Sequence, residues 1–112
     1  MELNEAQEQC LKTNTYKTNT ELMVCCILGV NSEAGEVAGK LDKWMRKNHN
    51  LNISPEFKKE MALELFDVMW FVSGAAKSLG YTFEELMQMG LEKLADRAKR
   101  NQIQSLEGGD HR

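Results

Sequence analysis

Apolar residues recur at helical spacing in several stretches of the chain, and no stretch alternates apolar and polar side chains as a strand would. Leu3 to Leu11 fits a short helix with Asn4 as its cap. The run from Thr13 to Thr20 is β-branched and amide-rich and is expected as a loop. Thr20 is expected to cap a helix running from Glu21 toward Lys47, which Gly29, Gly35 and Gly39 weaken and Asn48-His49-Asn50-Leu51-Asn52 ends. Ser54-Pro55-Glu56 restarts a helix, with a hydroxyl cap, a proline at the first helical position and an acid facing the helix dipole. That helix runs to about Leu79 and stops at Gly80, a residue suited to a left-handed C-cap. Thr82-Phe83-Glu84-Glu85 is a capping box that opens a last helix to about Asn101. Residues 105–112 form a tail without periodicity. The pattern predicts one all-α domain over residues 1–112, a helical bundle of four to five helices.

Composition narrows this picture. With 112 residues the chain can bury only a modest core, so completion by a partner subunit is expected. Seventeen acids against fourteen bases argue against binding a nucleic acid polymer, but leave room for small phosphorylated ligands bridged by metal ions. Cys10, Cys25 and Cys26 form neither a disulfide framework nor a CxxC motif, and are expected as small buried side chains in a reducing compartment. The first residues are polar and lack the apolar region of a signal peptide. The uncharged run from Leu22 to Ser32 is shorter than the ~20 residues that span a bilayer. The expected location is the cytoplasm, away from any membrane.

Charge placement is more informative than charge balance. Between Leu22 and Gly39 the only acids or bases, cysteines aside, are Glu33 and Glu36. Between Met61 and Ala76 the only ones are Glu64 and Asp67. Both pairs are spaced i, i+3, so each sets two carboxylates about one turn apart on one helical face. Burying an unpaired carboxylate costs several kcal/mol or raises its pKa, so four in the most apolar helices call for a compensating cation. A hard divalent ion such as magnesium suits an all-oxygen donor set. A ferritin-like di-iron site would need Glu-x-x-His motifs, and neither His49 nor His111 lies three residues after a glutamate.

The last helix adds Lys93 and Arg97, spaced i, i+4, which beside an acid-bound metal could hold phosphate oxygens. Asp96 and Arg100 fit an ordinary i, i+4 surface pair. Lys40, Lys43, Arg46 and Lys47 form a basic C-terminal helix face favoured by the dipole. Trp44, Trp70, Phe66 and Phe71 are expected in the core or at an interface.

These residues resemble the MazG-like all-α nucleotide pyrophosphohydrolases. Glu33-Ala34-Gly35-Glu36-Val37 is similar to the family's GEAGEV block within its EExxE motif, and Glu64-Leu65-Phe66-Asp67-Val68-Met69-Trp70-Phe71 to its ELGDVLWY block. Glu92-Lys93-Leu94-Ala95-Asp96-Arg97 is similar to its N-x-x-K-L-x-x-R segment, and Gly109-Asp110-His111-Arg112 to a G-D-N-R ending. The blocks span nearly the whole chain in the family's order. Three departures stand out: Ser32 replaces the first glutamate of EExxE, Gly90 replaces the usual asparagine, and Phe66 replaces the glycine of ELGD.

The resemblance implies hydrolysis of a nucleoside triphosphate to the monophosphate and pyrophosphate, by water attack at the α-phosphorus. It implies Glu33, Glu36, Glu64 and Asp67 as ligands of Mg2+, with Mn2+ as a substitute, and Glu36 or Glu33 as the residue that orients or deprotonates the water. Lys93 and Arg97 would bind the triphosphate. Lys43, Trp44 and the Thr13–Thr20 loop are further substrate contacts to test. The family's habit implies a homodimer or homotetramer, which exposed-prone Met69, Trp70, Met87 and Met89 fit. The alternatives are a narrow-specificity relative (a dCTP or dUTP pyrophosphatase, or a phosphoribosyl-ATP pyrophosphohydrolase) and a non-catalytic module that binds nucleotides or a partner.

Overall fold

The computed structural model describes residues 1–106, with side chains as far as Asn101, and all of its regular structure is helical. The chain forms α1 (Leu3–Leu11), α2 (Asn19–Asn48), α3 (Pro55–Ser78) and α4 (Phe83–Leu106). Four helices among the described residues agree with the expected all-α bundle of four to five. The Gly109-Asp110-His111-Arg112 ending lies outside the described residues.

The ends of the helices follow local chemistry. Ser54 Oγ accepts from the Phe57 N–H at 3.1 Å, with Pro55 in the first turn, as expected. Thr82 and Glu85 exchange capping-box hydrogen bonds of 3.0 and 3.1 Å. His49 closes α2 in the left-handed region at φ 57°, and Gly80 turns the chain after α3 at φ 88°. The start of α2 differs from expectation: Thr18, not Thr20, is its cap, its hydroxyl accepting from the Glu21 N–H at 3.1 Å. Either threonine fits by type, and the placement of Thr18 in extended backbone decides. α4 continues past Asn101 to Leu106.

Helices α2 and α3 form an antiparallel hairpin whose register is legible from one end to the other. Trp44 stacks on Phe57, Lys40 reaches Glu64, Gly29 faces Phe71, Gly74 faces Cys26, and Asn19 donates to the Ser78 carbonyl at 3.0 Å. Two glycines allow the close approach. A methyl group at Gly29 would run into the Phe71 ring, and one at Gly74 would meet Cys26 Sγ, with Leu22 Cδ1 at 3.2 Å. The core here is Leu22, Cys26 and Ala75, with Tyr16 and Phe71 packed against it. Of the cysteines only Cys26 takes the buried role expected of all three. Cys25 is exposed, because adjacent helix residues point about 100° apart, and Cys10 is half-buried.

Helix α1 ties α3 to α4. Buried Gln7 donates to the Ser73 and Tyr81 carbonyls, both at 3.2 Å, and accepts from the Phe83 N–H at 3.0 Å. Asn4 does not cap its own helix as expected. Its side-chain Oδ1 accepts from the Glu84 N–H at 2.9 Å, so it caps α4 from across the fold. Beyond that first turn α4 has little cover. The radius of gyration is 18.1 Å, against about 13 Å for a compact chain of this length. Val24, Ile27, Leu28, Phe66, Met69 and Leu94 are among the large apolar side chains left exposed.

Candidate metal centre

Three carboxylates converge across the α2–α3 hairpin. Glu33 of α2 and Glu64 and Asp67 of α3 each offer an oxygen, and these oxygens lie within 4.8 Å of one another. Neither glutamate is fully exposed, and Glu33 Oε2 is shielded from solvent with no hydrogen-bond partner. Three carboxylates this close together repel one another when ionised, and an all-oxygen set of this kind is one that a hard divalent cation satisfies. Burial, followed by a side-chain hydrogen bond with Glu36 and then the charges of Glu36, Asp67 and Glu64, pushes the Glu33 carboxyl above its usual range.

Of the four acids expected to act together, Glu36 stands outside the converging group, although its charge still acts on Glu33. Three residues along a helix leave its side chain rotated about 60° from Glu33 and one turn farther on. Glu36 is exposed there, open to solvent beside the cluster.

A cation that charge pattern alone assigned to the solvated face enters the site. Lys40 Nζ lies 2.8 Å from Glu64 Oε1. Its hydrogen bond to Glu64 outweighs partial desolvation and holds the ammonium above its ordinary pKa, helped by the charges of Glu64, Glu60 and Glu36. The signal was present in the sequence: Lys40 follows Glu33 by seven residues, which returns it to within about 20° of the same helical face.

Lys43 and Trp44 line an adjoining groove of ≈ 460 Å³, together with Lys40, Lys47, Ser54 and Phe57. The Trp44 ring stacks on Phe57 with centroids 4.5 Å apart, and its Nε1 is buried without a partner. Lys93 and Arg97 are elsewhere. They border an apolar groove of ≈ 420 Å³ between α3 and α4, with Met69, Val72, Leu91 and Leu94. Among the described residues neither forms an ion pair, whereas Asp96 and Arg100 make the expected i, i+4 pair at 3.2 Å. In the loop before α2, Thr13 Oγ1 is engaged by the Trp70 indole N–H at 2.7 Å. Trp70 meets Phe71 edge-on, while Phe66 is exposed rather than in the core.

Fold and site together define an all-α protein whose central helical hairpin presents a three-carboxylate cluster flanked by lysine. The chain is 36% identical over 85 residues to the Gene 37 protein of Mycobacterium phage L5, an alignment covering 76% of this chain and 72% of the phage protein. It belongs to the family of that phage protein. No family model matches the chain, and no solved structure does.

Proposed function

We propose that the chain is a magnesium-dependent nucleoside triphosphate pyrophosphohydrolase of the MazG-like type, releasing the monophosphate and pyrophosphate. The observation that carries this reading is the convergence of Glu33, Glu64 and Asp67 from two helices, with one oxygen of Glu33 buried and without a partner. The sequence blocks resembling the MazG-like family contain these same residues. Magnesium, or manganese in its place, would be held by the three carboxylates and would supply the positive charge that polarises phosphoryl oxygens. Glu36, exposed one turn from Glu33, would orient the attacking water and accept its proton. The groove bearing Lys43 and Trp44 offers ammonium groups to phosphates and an aromatic edge to the nucleoside. Lys93 and Arg97 contribute to triphosphate binding once α4 is fixed in place.

A homodimer or homotetramer is part of the same proposal. The lone chain leaves too much apolar surface exposed on α2, α3 and α4, and a second copy presents the matching apolar faces. By length and composition α2 could cross a membrane. Glu33, Glu36 and Lys40 would be costly in hydrocarbon, which favours a protein cover for α2 and a cytoplasmic setting.

Purified protein incubated with magnesium and a panel of canonical and modified nucleoside triphosphates should release pyrophosphate and monophosphate in equal amounts. Glu64→Gln and Asp67→Asn should each lower turnover by about a thousandfold, since each removes a ligand charge from the metal centre. Orthophosphate with the diphosphate as products would overturn the α-phosphorus assignment. Activity retained in both variants would overturn the metal centre.

A further inference from the structure

Lys40 belongs to two places at once. Its ammonium lies 2.8 Å from a carboxylate of the acid cluster, and its stem lines the neighbouring groove with Lys43 and Lys47. A lysine ammonium and a divalent cation are both positive, and placing them on the same carboxylate costs repulsion. The lysine is the one able to leave. Its side chain is 40% exposed on a flexible four-carbon stem, whereas that of Glu64 is 18% exposed.

The charge of the groove depends on where that ammonium points. Lys40, Lys43 and Lys47 line it against Glu56 and Glu60. While Lys40 neutralises Glu64, the remaining two lysines and two glutamates balance. Released from Glu64, Lys40 leaves the groove with an excess positive charge beside the metal centre. Resting on the metal-centre reading above, we propose that Lys40 is an exchangeable counter-ion that couples the two sites. It holds Glu64 in the cation-free chain, yields the carboxylates to a divalent cation, and then joins Lys43 and Lys47 in binding the phosphates of a polyphosphate ligand. By linkage the coupling is reciprocal, so a polyphosphate that draws Lys40 away also favours the cation.

The test is calorimetric titration of the full chain with Mn2+ alone, and separately with the manganese complex of inorganic tripolyphosphate. Lys40→Met should tighten Mn2+ several-fold, because its competitor is gone. The same variant should weaken the tripolyphosphate complex by about tenfold, the usual size of one charge-assisted hydrogen bond. Lys43→Met should weaken the tripolyphosphate complex without tightening Mn2+, and Lys40→Arg, which keeps the charge, should not tighten Mn2+. A merely structural lysine would move both affinities of Lys40→Met in the same direction, and that outcome overturns the exchange. Unchanged Mn2+ affinity in Lys40→Met overturns it too while leaving the metal centre standing. Failure of both the wild type and Lys40→Met to bind Mn2+ overturns the metal centre, and the exchange with it.

Discussion

The α2–α3 hairpin and α4 stand in contrast. The hairpin buries Leu22, Cys26, Phe57, Ala75 and Ala76, whereas among the described residues of α4 only Phe83, at its first position, is buried. Both regions carry residues that the sequence singled out, the carboxylates on one and Lys93 and Arg97, which border a separate groove, on the other. A metal ion bound at the acid cluster would need its ligands held to within a fraction of an ångström, a rigidity that under the proposed function falls to the hairpin. Under the proposed function, phosphate contacts from α4 would depend on whatever covers Leu91 and Leu94, both more than half exposed in the lone chain. The acid cluster thus sits on the packed hairpin, and Lys93 and Arg97 sit on a helix with little cover.

The largest effect on this contrast should come from the latch between the two regions. Gln7→Ala removes three hydrogen bonds and strands the Phe83 N–H in a buried position. It should cost about 3 kcal/mol in a denaturant melt, and amide exchange should rise at the start of α4 before it rises in the hairpin. Equal loosening of both regions would erase the distinction between them.

Next in size is the hairpin's own packing. Gly74→Ala forces a methyl group onto Cys26 and should destabilise by about 1–3 kcal/mol. Gly39→Ala, with nothing within 4 Å of the added carbon, should instead stabilise by roughly 0.5–1 kcal/mol. Thermal melts of the two variants would separate a close-packed seam from an open helical face.

The smallest expected effect is the response of the hairpin to pH. The Glu33 carboxyl is raised by burial and by its acidic neighbours. Its contribution to stability is therefore full below the ordinary carboxylate range and is lost as pH rises through the raised value. In the absence of divalent cations, the melting temperature of the wild type relative to Glu33→Gln should fall as pH increases through that window. Saturating Mn2+ should reverse the trend, because the cation needs the ionised form. A pH-independent difference between the two proteins would remove Glu33 from the cluster.

Much of this was legible from local chemistry. Ser54 with Pro55, Thr82 with Glu85, and Gly80 all mark helix ends where they were expected, since caps and turns depend on a few adjacent residues. The isolated acid pairs also singled out Glu33, Glu64 and Asp67 before any tertiary contact was in view. Less was legible where a side chain serves another element. Asn4 looked like a cap for its own helix and caps α4 instead, and Gln7 carried no sign of its role. Phe66, expected in the core or at an interface, lies on an open face of the lone chain.

By itself, then, the sequence determined the helices, most of their ends and the four acids from which the converging three are drawn. These are set by periodicity and by neighbours within about one turn. The tertiary structure decided what depends on the crossing and register of α2 and α3: that Glu36 stands beside the cluster, that Lys40 reaches Glu64, and that Lys93 and Arg97 face a separate groove. Local spacing fixes which residues share a helical face. Only the packing of glycines against Phe71 and Cys26 fixes how close, and in what register, two such faces meet.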